Sequence, residues 1–418
     1  MRKILINGNK RLEGEVQISG AKNAALAILA ATILVPGKIT IRNVPNLLDV
    51  ITFIRVLRAL GIRAEYSGSQ PNTVEVWNDN VKHVAPYELV TKMRASFFVI
   101  GPILARKGLA KIPLPGGCAI GSRPVNLHIK GLEVLGATVK MEHGFVIVSA
   151  SKLKGGKVYL DFPSVGATES IMMAATLAEG ETIIENAAQE PEIVDLANFL
   201  NKAGGRVSGA GTEEIRIRGV TQLSPLEYKI IADRIEAGTY MTAAAITKGD
   251  VLVKGIQPEF IEATTRKLQE AGVKIQIKND EVRVSAINGL RATDIKTMPY
   301  PGFPTDMQSQ FTSLLCLARG TSVVTETVFE NRFMHVPELN RMGAEIKLEG
   351  QSAIVNGVGV LSSAPVKVSD LRAGAALIVA GLAARGETTI EDRDHHIERG
   401  YENLKGKLSG LGADIKLL

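Results

Sequence analysis

Cysteine is scarce in this chain: Cys118 and Cys316 are the only two in 418 residues. So sparse a set excludes a disulfide framework and suits a reducing, cytoplasmic compartment. Aromatic residues make up 5% and no block of lysine and arginine occurs, so the stacking platform and basic face of a nucleic-acid binder are missing. Long apolar runs are missing too. The strongest, Ala24 to Val35, contains Thr32 and stops at Pro36, well short of the ~20 residues of a membrane span, so it reads as a buried helix. The opening Met1-Arg2-Lys3-Ile4-Leu5-Ile6-Asn7-Gly8 carries too short an apolar stretch for a signal peptide. The histidines are His83, His128, His143, His335, His395 and His396, with no His-Glu-x-x-His or Cys-x-x-Cys spacing. Neither the Gly-x-x-x-x-Gly-Lys-[Ser/Thr] phosphate loop nor the Gly-x-Gly-x-x-Gly dinucleotide fingerprint appears. No metal or other cofactor is therefore expected.

What remains is an ordinary globular composition, 45% hydrophobic and 22% charged, in a chain too long for one core. Two or three domains are expected. A net charge of +6 and a pI of about 9.1 suit small anionic substrates better than nucleic acid or membrane.

The two cysteines differ sharply in setting. Cys118 lies in Pro113-Leu114-Pro115-Gly116-Gly117-Cys118-Ala119-Ile120-Gly121-Ser122-Arg123-Pro124, an exposed loop with stiff ends and a pliable middle. A thiol there can reach a ligand, and Arg123 can neutralise an anion beside it while favouring the thiolate. Cys316 sits in the apolar stretch Phe311 to Ala318 and reads as a small buried hydrophobe.

A repeat organises the chain. A turn of Leu, Ala or Met followed by Gly closes an amphipathic helix at Gly61, Gly136, Gly204, Gly272, Gly343 and Gly412, spaced by 75, 68, 68, 71 and 69 residues. Each unit also holds an alanine-rich, nearly all-apolar helix: Ala24 to Thr32, Ala95 to Ala105, Thr168 to Ala178, Gly238 to Ile246, Gln308 to Ala318 and Ala373 to Ala384. Such helices demand burial on every side, which predicts an α/β fold with helices inside and sheets wrapped around them. Strands such as Glu281 to Val284 and Glu214 to Arg218 alternate as sheets with one wet face do. Periodicity alone leaves one ring, a solenoid or two clusters of three open.

Long motifs then carry a resemblance along the whole chain. They are Ile18-Ser19-Gly20-Ala21-Lys22-Asn23-Ala24-Ala25-Leu26, Thr91-Lys92-Met93-Arg94-Ala95-Ser96, the Cys118 loop through Arg123-Pro124-Val125, Ser164-Val165-Gly166-Ala167-Thr168 and Glu190-Pro191-Glu192-Ile193-Val194-Asp195. Further along come Phe303-Pro304-Thr305-Asp306-Met307-Gln308, Thr325-Glu326-Thr327-Val328-Phe329-Glu330-Asn331-Arg332-Phe333 and His396-Ile397-Glu398-Arg399-Gly400-Tyr401-Glu402. On these the chain resembles the UDP-N-acetylglucosamine 1-carboxyvinyltransferases, a family of enolpyruvyl transferases. The resemblance implies two inside-out α/β barrel domains, each of three βαβαββ repeats around pseudo-threefold symmetry. It assigns residues 22–230 to the first domain, which carries the Cys118 lid loop, and residues 1–21 plus 231–418 to the second, which carries Asp306 and Arg399. The active site is expected in the cleft between them.

The implied reaction moves the enolpyruvyl group of phosphoenolpyruvate to the 3'-hydroxyl of UDP-N-acetylglucosamine and releases phosphate by addition and elimination. This is the first committed step of peptidoglycan precursor synthesis. Lys22 and Asn23 are then expected at phosphoenolpyruvate, an ammonium being a point charge for phosphate. Arg332, Arg372 and Arg399 face the same substrate, since a guanidinium grips a carboxylate or phosphate with two parallel bonds. Arg94 and Arg123 serve the sugar nucleotide or shape the closed site. Pro124, Val125, Asn126 and Leu127, with Ser164, Val165 and Gly166, are expected to hold uracil and diphosphate, and Val328 the sugar. Asp306 is the implied base for the 3'-hydroxyl; its plain alternative is a helix N-cap, a task that Thr305 can take instead. Lys22 has its own plain alternative, a solvated charge at a helix end. Cys118 becomes a proton donor to the methylene carbon, the residue that forms a covalent adduct with phosphoenolpyruvate, and the target of the epoxide fosfomycin.

Two positions depart from the family pattern. Asn126 stands where Asp commonly follows Pro-Val, and Phe162-Pro163 replaces a Lys-Val pair, which puts nucleotide affinity in question more than chemistry. Three other readings stand beside the first: a 5-enolpyruvylshikimate-3-phosphate synthase, an RNA 3'-phosphate cyclase relative, and a non-catalytic sensor of the sugar nucleotide. Protein partners and oligomeric state are not legible.

Overall fold

The computed structural model describes residues 2–91, 93–114, 125–286 and 289–418. Cys118, Arg123 and Pro124 lie outside the described residues, and the Arg94 side chain lies outside the described atoms. The chain divides into two compact units, one of residues 2–19 with Ala232–Leu418 and the other of residues 20–114 with 125–231. Each has its own hydrophobic core.

Within each unit the apolar helices are inside. The helix Leu371–Ala383 is buried at every position from Arg372 to Leu382, and Arg234–Ile246 at every position from Ile235 to Ile246. Helices with no polar face cannot line a surface, so sheets cover them. Three of the six described sheets belong to each unit, and five of the six have four strands. In one, Glu227–Lys229 runs parallel to Gly37–Arg42, which pairs antiparallel with Thr73–Asn78 and that in turn with Arg63–Tyr66. The same order, one parallel edge strand and then an antiparallel meander, recurs with Glu13–Gln17, Asp250–Lys254, Glu281–Ser285 and Lys274–Lys278. Buried and exposed residues alternate along these strands, as in Asp250–Lys254. Residues 2–17 supply strands to two sheets of the unit that holds the C-terminus, Arg2–Asn7 lying between Glu387–Asp392 and Asp414–Leu417.

The repeated turn has one geometry six times. Gly61, Gly136, Gly204, Gly272, Gly343 and Gly412 all have φ between +85° and +100°, a left-handed conformation that Cβ-bearing residues resist. The amide after each glycine donates to the carbonyl of a leucine five residues earlier: Leu57, Leu132, Leu200, Leu268, Leu339 and Leu408, at 2.8 to 3.1 Å. This is the Schellman closure of a helix, and it explains why that dipeptide marked the period.

Several inner helices differ at their ends from the expected ranges. The fourth begins at Arg234, not Gly238, because Asp233 caps it: its Oδ1 accepts from Ile235 N at 2.8 Å and Glu236 N at 3.0 Å. The second opens as a 3₁₀ turn, Arg94–Val99, before Ile100–Lys107 and ends at Gly108, whose φ is +69°. The third runs Val165–Ala175 under a Ser164 cap, and the fifth stops at Leu315. No helix is long and apolar enough to cross a membrane, among the described residues.

Candidate active site

In the unit formed by residues 20–231, Lys22 and Asn23 open the inner helix Lys22–Ala31. Lys22 is not a solvated helix-end charge: its Nζ lies 3.5 Å from Asp49 Oδ2, with the two side chains 13% and 9% exposed. Asp49, which sequence reading missed, sits in the first turn of the neighbouring helix Leu48–Ala59. A carboxylate there gives the largely buried ammonium an opposite charge.

The two segments expected to hold the nucleotide come together. Asn126 and Leu127 start the helix Asn126–Val134, and Val125 is buried just before it. Ser164 caps Val165–Ala175 by accepting from Ala167 N at 3.4 Å. His128 joins them: a ring nitrogen lies 2.9 Å from Ser170 Oγ, and its ring meets Phe97 edge-on at 5.3 Å. A Cβ at Gly166 would stand 2.9 Å from Phe98 and 3.2 Å from His128, so glycine is what lets the two helix starts approach. Their amides, still unpaired within the helices, favour anions. Beside them Phe162 is 43% exposed, and Lys130 pairs with Asp161 at 2.8 Å.

In the unit of residues 2–19 and Ala232–Leu418, the structure brings Asp306, Arg332 and Arg372 together. Arg332 Nη2 donates to Asp306 Oδ1 at 2.6 Å, and Arg372 Nη2 to Oδ2 at 2.8 Å. Both arginines are 5% exposed while the Asp306 side chain is 26% exposed, so the carboxylate is held by buried cations and is itself partly accessible. Burial opposes the Arg372 charge, but Asp306, Tyr401 and Asp233 outweigh it and hold its pKa above the usual arginine value. Asp306 is no helix cap. Neither the Thr305–Met307 turn nor Gln308–Leu315 has a side-chain cap, and Thr305 is engaged elsewhere: its hydroxyl accepts from Arg332 Nη1 at 2.8 Å and donates to Glu326 Oε2 at 2.9 Å.

A buried polar layer backs this pair. Arg372 Nη1 donates to the Tyr401 hydroxyl at 3.3 Å, which meets Thr239 Oγ1 at 3.0 Å and accepts from Gln310 Nε2 at 3.3 Å. Gln310 also donates to the Asp306 carbonyl at 3.0 Å. Arg399 is half-buried on the turn Ile397–Arg399, two residues before Tyr401. Val328 lies on the segment between Glu326 and Arg332, and its amide donates to Glu326 Oε1 at 2.9 Å. Glu326 and Tyr401 lie inside the family motifs and His128 only among the six histidines, and nothing in their spacing marked them as partners. Cys316 is fully buried, its thiol pushed up to about 12 by burial. Among the described residues, no three His, Cys, Asp or Glu side chains gather as a metal site. Two surface hollows of about 530 and 270 Å³ are lined by none of Asp306, Arg332 or Arg372.

With that geometry in hand, relatives can be compared. The EPSP synthase (3-phosphoshikimate 1-carboxyvinyltransferase) family matches residues 6–408. The chain belongs to this family. Among its members, the UDP-N-acetylglucosamine 1-carboxyvinyltransferase of Geobacter metallireducens is 55% identical over 417 residues, covering 100% of this chain and 99% of the relative. The UDP-N-acetylglucosamine 1-carboxyvinyltransferase 2 of Carboxydothermus hydrogenoformans is 55% identical over 420 residues with the same coverage. Among solved structures, the enolpyruvyl transferase NikO from Streptomyces tendae superposes with a TM-score of 0.89 at 25% identity, over 100% of this chain and 98% of its own. The EPSP synthase of Acinetobacter baumannii gives 0.76 at 18% identity over 100% of both chains, a likeness of fold alone. The family's fold, with helices inside and sheets outside in each unit, is the one described above.

Proposed function

We propose that this chain is a cytoplasmic enzyme that transfers the enolpyruvyl group of phosphoenolpyruvate to the 3'-hydroxyl of UDP-N-acetylglucosamine, the step that commits material to peptidoglycan. The observation that carries the proposal is the Asp306 carboxylate, held on both oxygens by buried Arg332 and Arg372 while its side chain keeps 26% exposure. An alcohol is a poor nucleophile until a placed base takes its proton, and Asp306 is such a base. The 3'-oxygen then bonds to C2 of phosphoenolpyruvate while the Cys118 thiol gives a proton to C3. In the second half the C2–O bond to phosphate breaks with its electron pair leaving on the phosphate, C3 returns a proton to the Cys118 thiolate, and the double bond re-forms.

Both substrates are polyanions, so cations must gather where charge develops. Lys22 with Asn23, together with Arg332, Arg372 and Arg399, supply them for phosphoenolpyruvate; Arg94, Arg123, Pro124 and the paired helix starts at Asn126 and Val165 serve the nucleotide. In this reading both units contribute residues to the reaction. The 55% identity to relatives of that name along the full length favours the sugar nucleotide as acceptor. The test is release of inorganic phosphate by the purified protein with phosphoenolpyruvate and UDP-N-acetylglucosamine. Release with shikimate 3-phosphate instead, or none with either acceptor, overturns the proposal.

A further inference from the structure

Glu326 is 1% exposed and accepts four hydrogen bonds. Its Oε1 takes them from Thr297 Oγ1 at 2.8 Å, Val328 N at 2.9 Å and Phe329 N at 3.2 Å, and its Oε2 from Thr305 Oγ1 at 2.9 Å. Every partner donates, which is the pattern an acceptor-only carboxylate requires. Among the described residues, no cation touches it directly. The nearest in the network is Arg332, whose Nη1 donates to the Thr305 hydroxyl that donates to Glu326.

The Thr305 hydroxyl has one proton. It spends that proton on Glu326, so the lone pairs it offers Arg332 are aligned by the carboxylate behind it. Arg332 in turn uses its other terminal nitrogen on Asp306. One buried acid therefore orients, through a threonine and an arginine, the carboxylate that faces the sugar hydroxyl. The other oxygen of the same acid fixes the backbone at Val328 and Phe329, the segment assigned to the sugar. Thr297 ties the far side of this arrangement by accepting from Thr327 N at 2.9 Å.

We propose that Glu326 is a positioning residue with two branches: through Thr305 and Arg332 it sets the aim of Asp306, and through the amides of Val328 and Phe329 it sets the surface that meets the sugar nucleotide. The proposal rests on the reaction proposed above. The branches have separate kinetic signatures, because misplacing a base lowers turnover while misplacing a binding surface raises KM.

Steady-state kinetics of wild type, Thr305→Val, Thr305→Ser, Glu326→Gln and Asp306→Asn, with a melting curve for each, test it. Thr305→Val cuts only the first branch and is expected to lower kcat by about tenfold or more, with KM for the nucleotide changed less than about threefold. Thr305→Ser keeps the hydroxyl and restores kcat to within about twofold. Glu326→Gln, which keeps the shape but replaces an acceptor with a donor, lowers kcat and raises the nucleotide KM together. Wild-type kcat in Thr305→Val, failure of serine to rescue, or losses that merely track the folded fraction overturn the inference. If Glu326→Gln does not fold, the valine and serine pair still decides the first branch and with it the proposal. Phosphate release by wild type but not by Asp306→Asn, alongside an unaffected Thr305→Val, sinks this inference and leaves the reaction standing. A wild type that releases no phosphate sinks the reaction itself.

Discussion

The two units share a fold but differ in how several of their acids are met. In the unit with both termini, Asp306 is held by two guanidiniums, and buried Glu236 by the Lys407 ammonium at 2.7 Å. In the other, Glu169 is 1% exposed with one carboxylate oxygen that has no partner, and Asp195 is met by the Tyr228 hydroxyl at 2.7 Å and the Ile231 amide at 3.3 Å. Burial, reinforced by Glu192 and Glu190, pushes Glu169 well above the usual carboxylate range. Burial likewise lifts Asp195 to about 6 against the pull of its two donors. The sixfold repeat thus specifies a scaffold, while the side chains set into it differ: two guanidiniums meet Asp306 in one unit, and neutral donors meet Asp195 in the other.

The largest expected effect breaks the comparison at its centre. Asp306→Asn keeps the shape and removes the base, so turnover should fall by about 10² to 10⁴, with a smaller change in KM; phosphate-release kinetics check it. Next, Arg372→Met strips one of the two cations from Asp306. Breaking a largely buried pair costs about 3 kcal/mol of stability, seen as a lower urea midpoint without a change of slope. Glu169→Asp would not test the contrast, because it retains the acid.

Two variants sharpen the comparison through pH. Asp195 has its folded pKa raised to about 6 from 3.8. Its stabilising contribution is therefore full below the unfolded pKa and is lost as pH rises through about 6. His335 in the other unit is the reverse. Burial, together with Arg332 and against Asp370, lowers its pKa from 6.5 to about 4, so its contribution is full above pH 6.5 and is lost as pH falls toward 4. The unfolding free energy of wild type minus that of Asp195→Asn should decline between pH 4 and 6, by about 2 to 3 kcal/mol. The same difference for His335→Asn should rise between pH 4 and 6.5. Slopes of one sign in both variants refute the assignment. Glu169→Gln mimics the protonated acid and should raise the unfolding free energy near neutrality, with the gain over wild type growing as pH rises above the ordinary carboxylate range.

Much of the fold was legible because its signals are local. Each glycine turn needs only its own φ and the leucine carbonyl five residues back, and each inner helix announces itself by having no polar face. Where polar residues open a helix, the signal failed: Arg234 and Glu236 disguise the first turn that Asp233 caps. The resemblance named Lys22, Asp306, Arg332, Arg372 and Arg399, but not their partners. Asp49 lies 27 positions from Lys22 in the chain, and no spacing rule connects an acid and a base on different helices. Asp306 as a helix cap was an equally good local reading, and only the absence of any cap bond, with both oxygens on arginines, removes it.

The sequence by itself determined six repeats, buried helices, one inert cysteine, and the residue types that handle anionic substrates. Those follow from backbone preferences and apolar periodicity over a few residues. Tertiary structure alone decided which acids meet cations and which meet neutral donors, and that Glu326 is joined to Asp306 through Thr305 and Arg332. Hydrogen bonds and charge pairs of this kind join residues 21 to 171 positions apart. Their energy depends on distance and burial in three dimensions, which the order of residues along the chain does not encode locally.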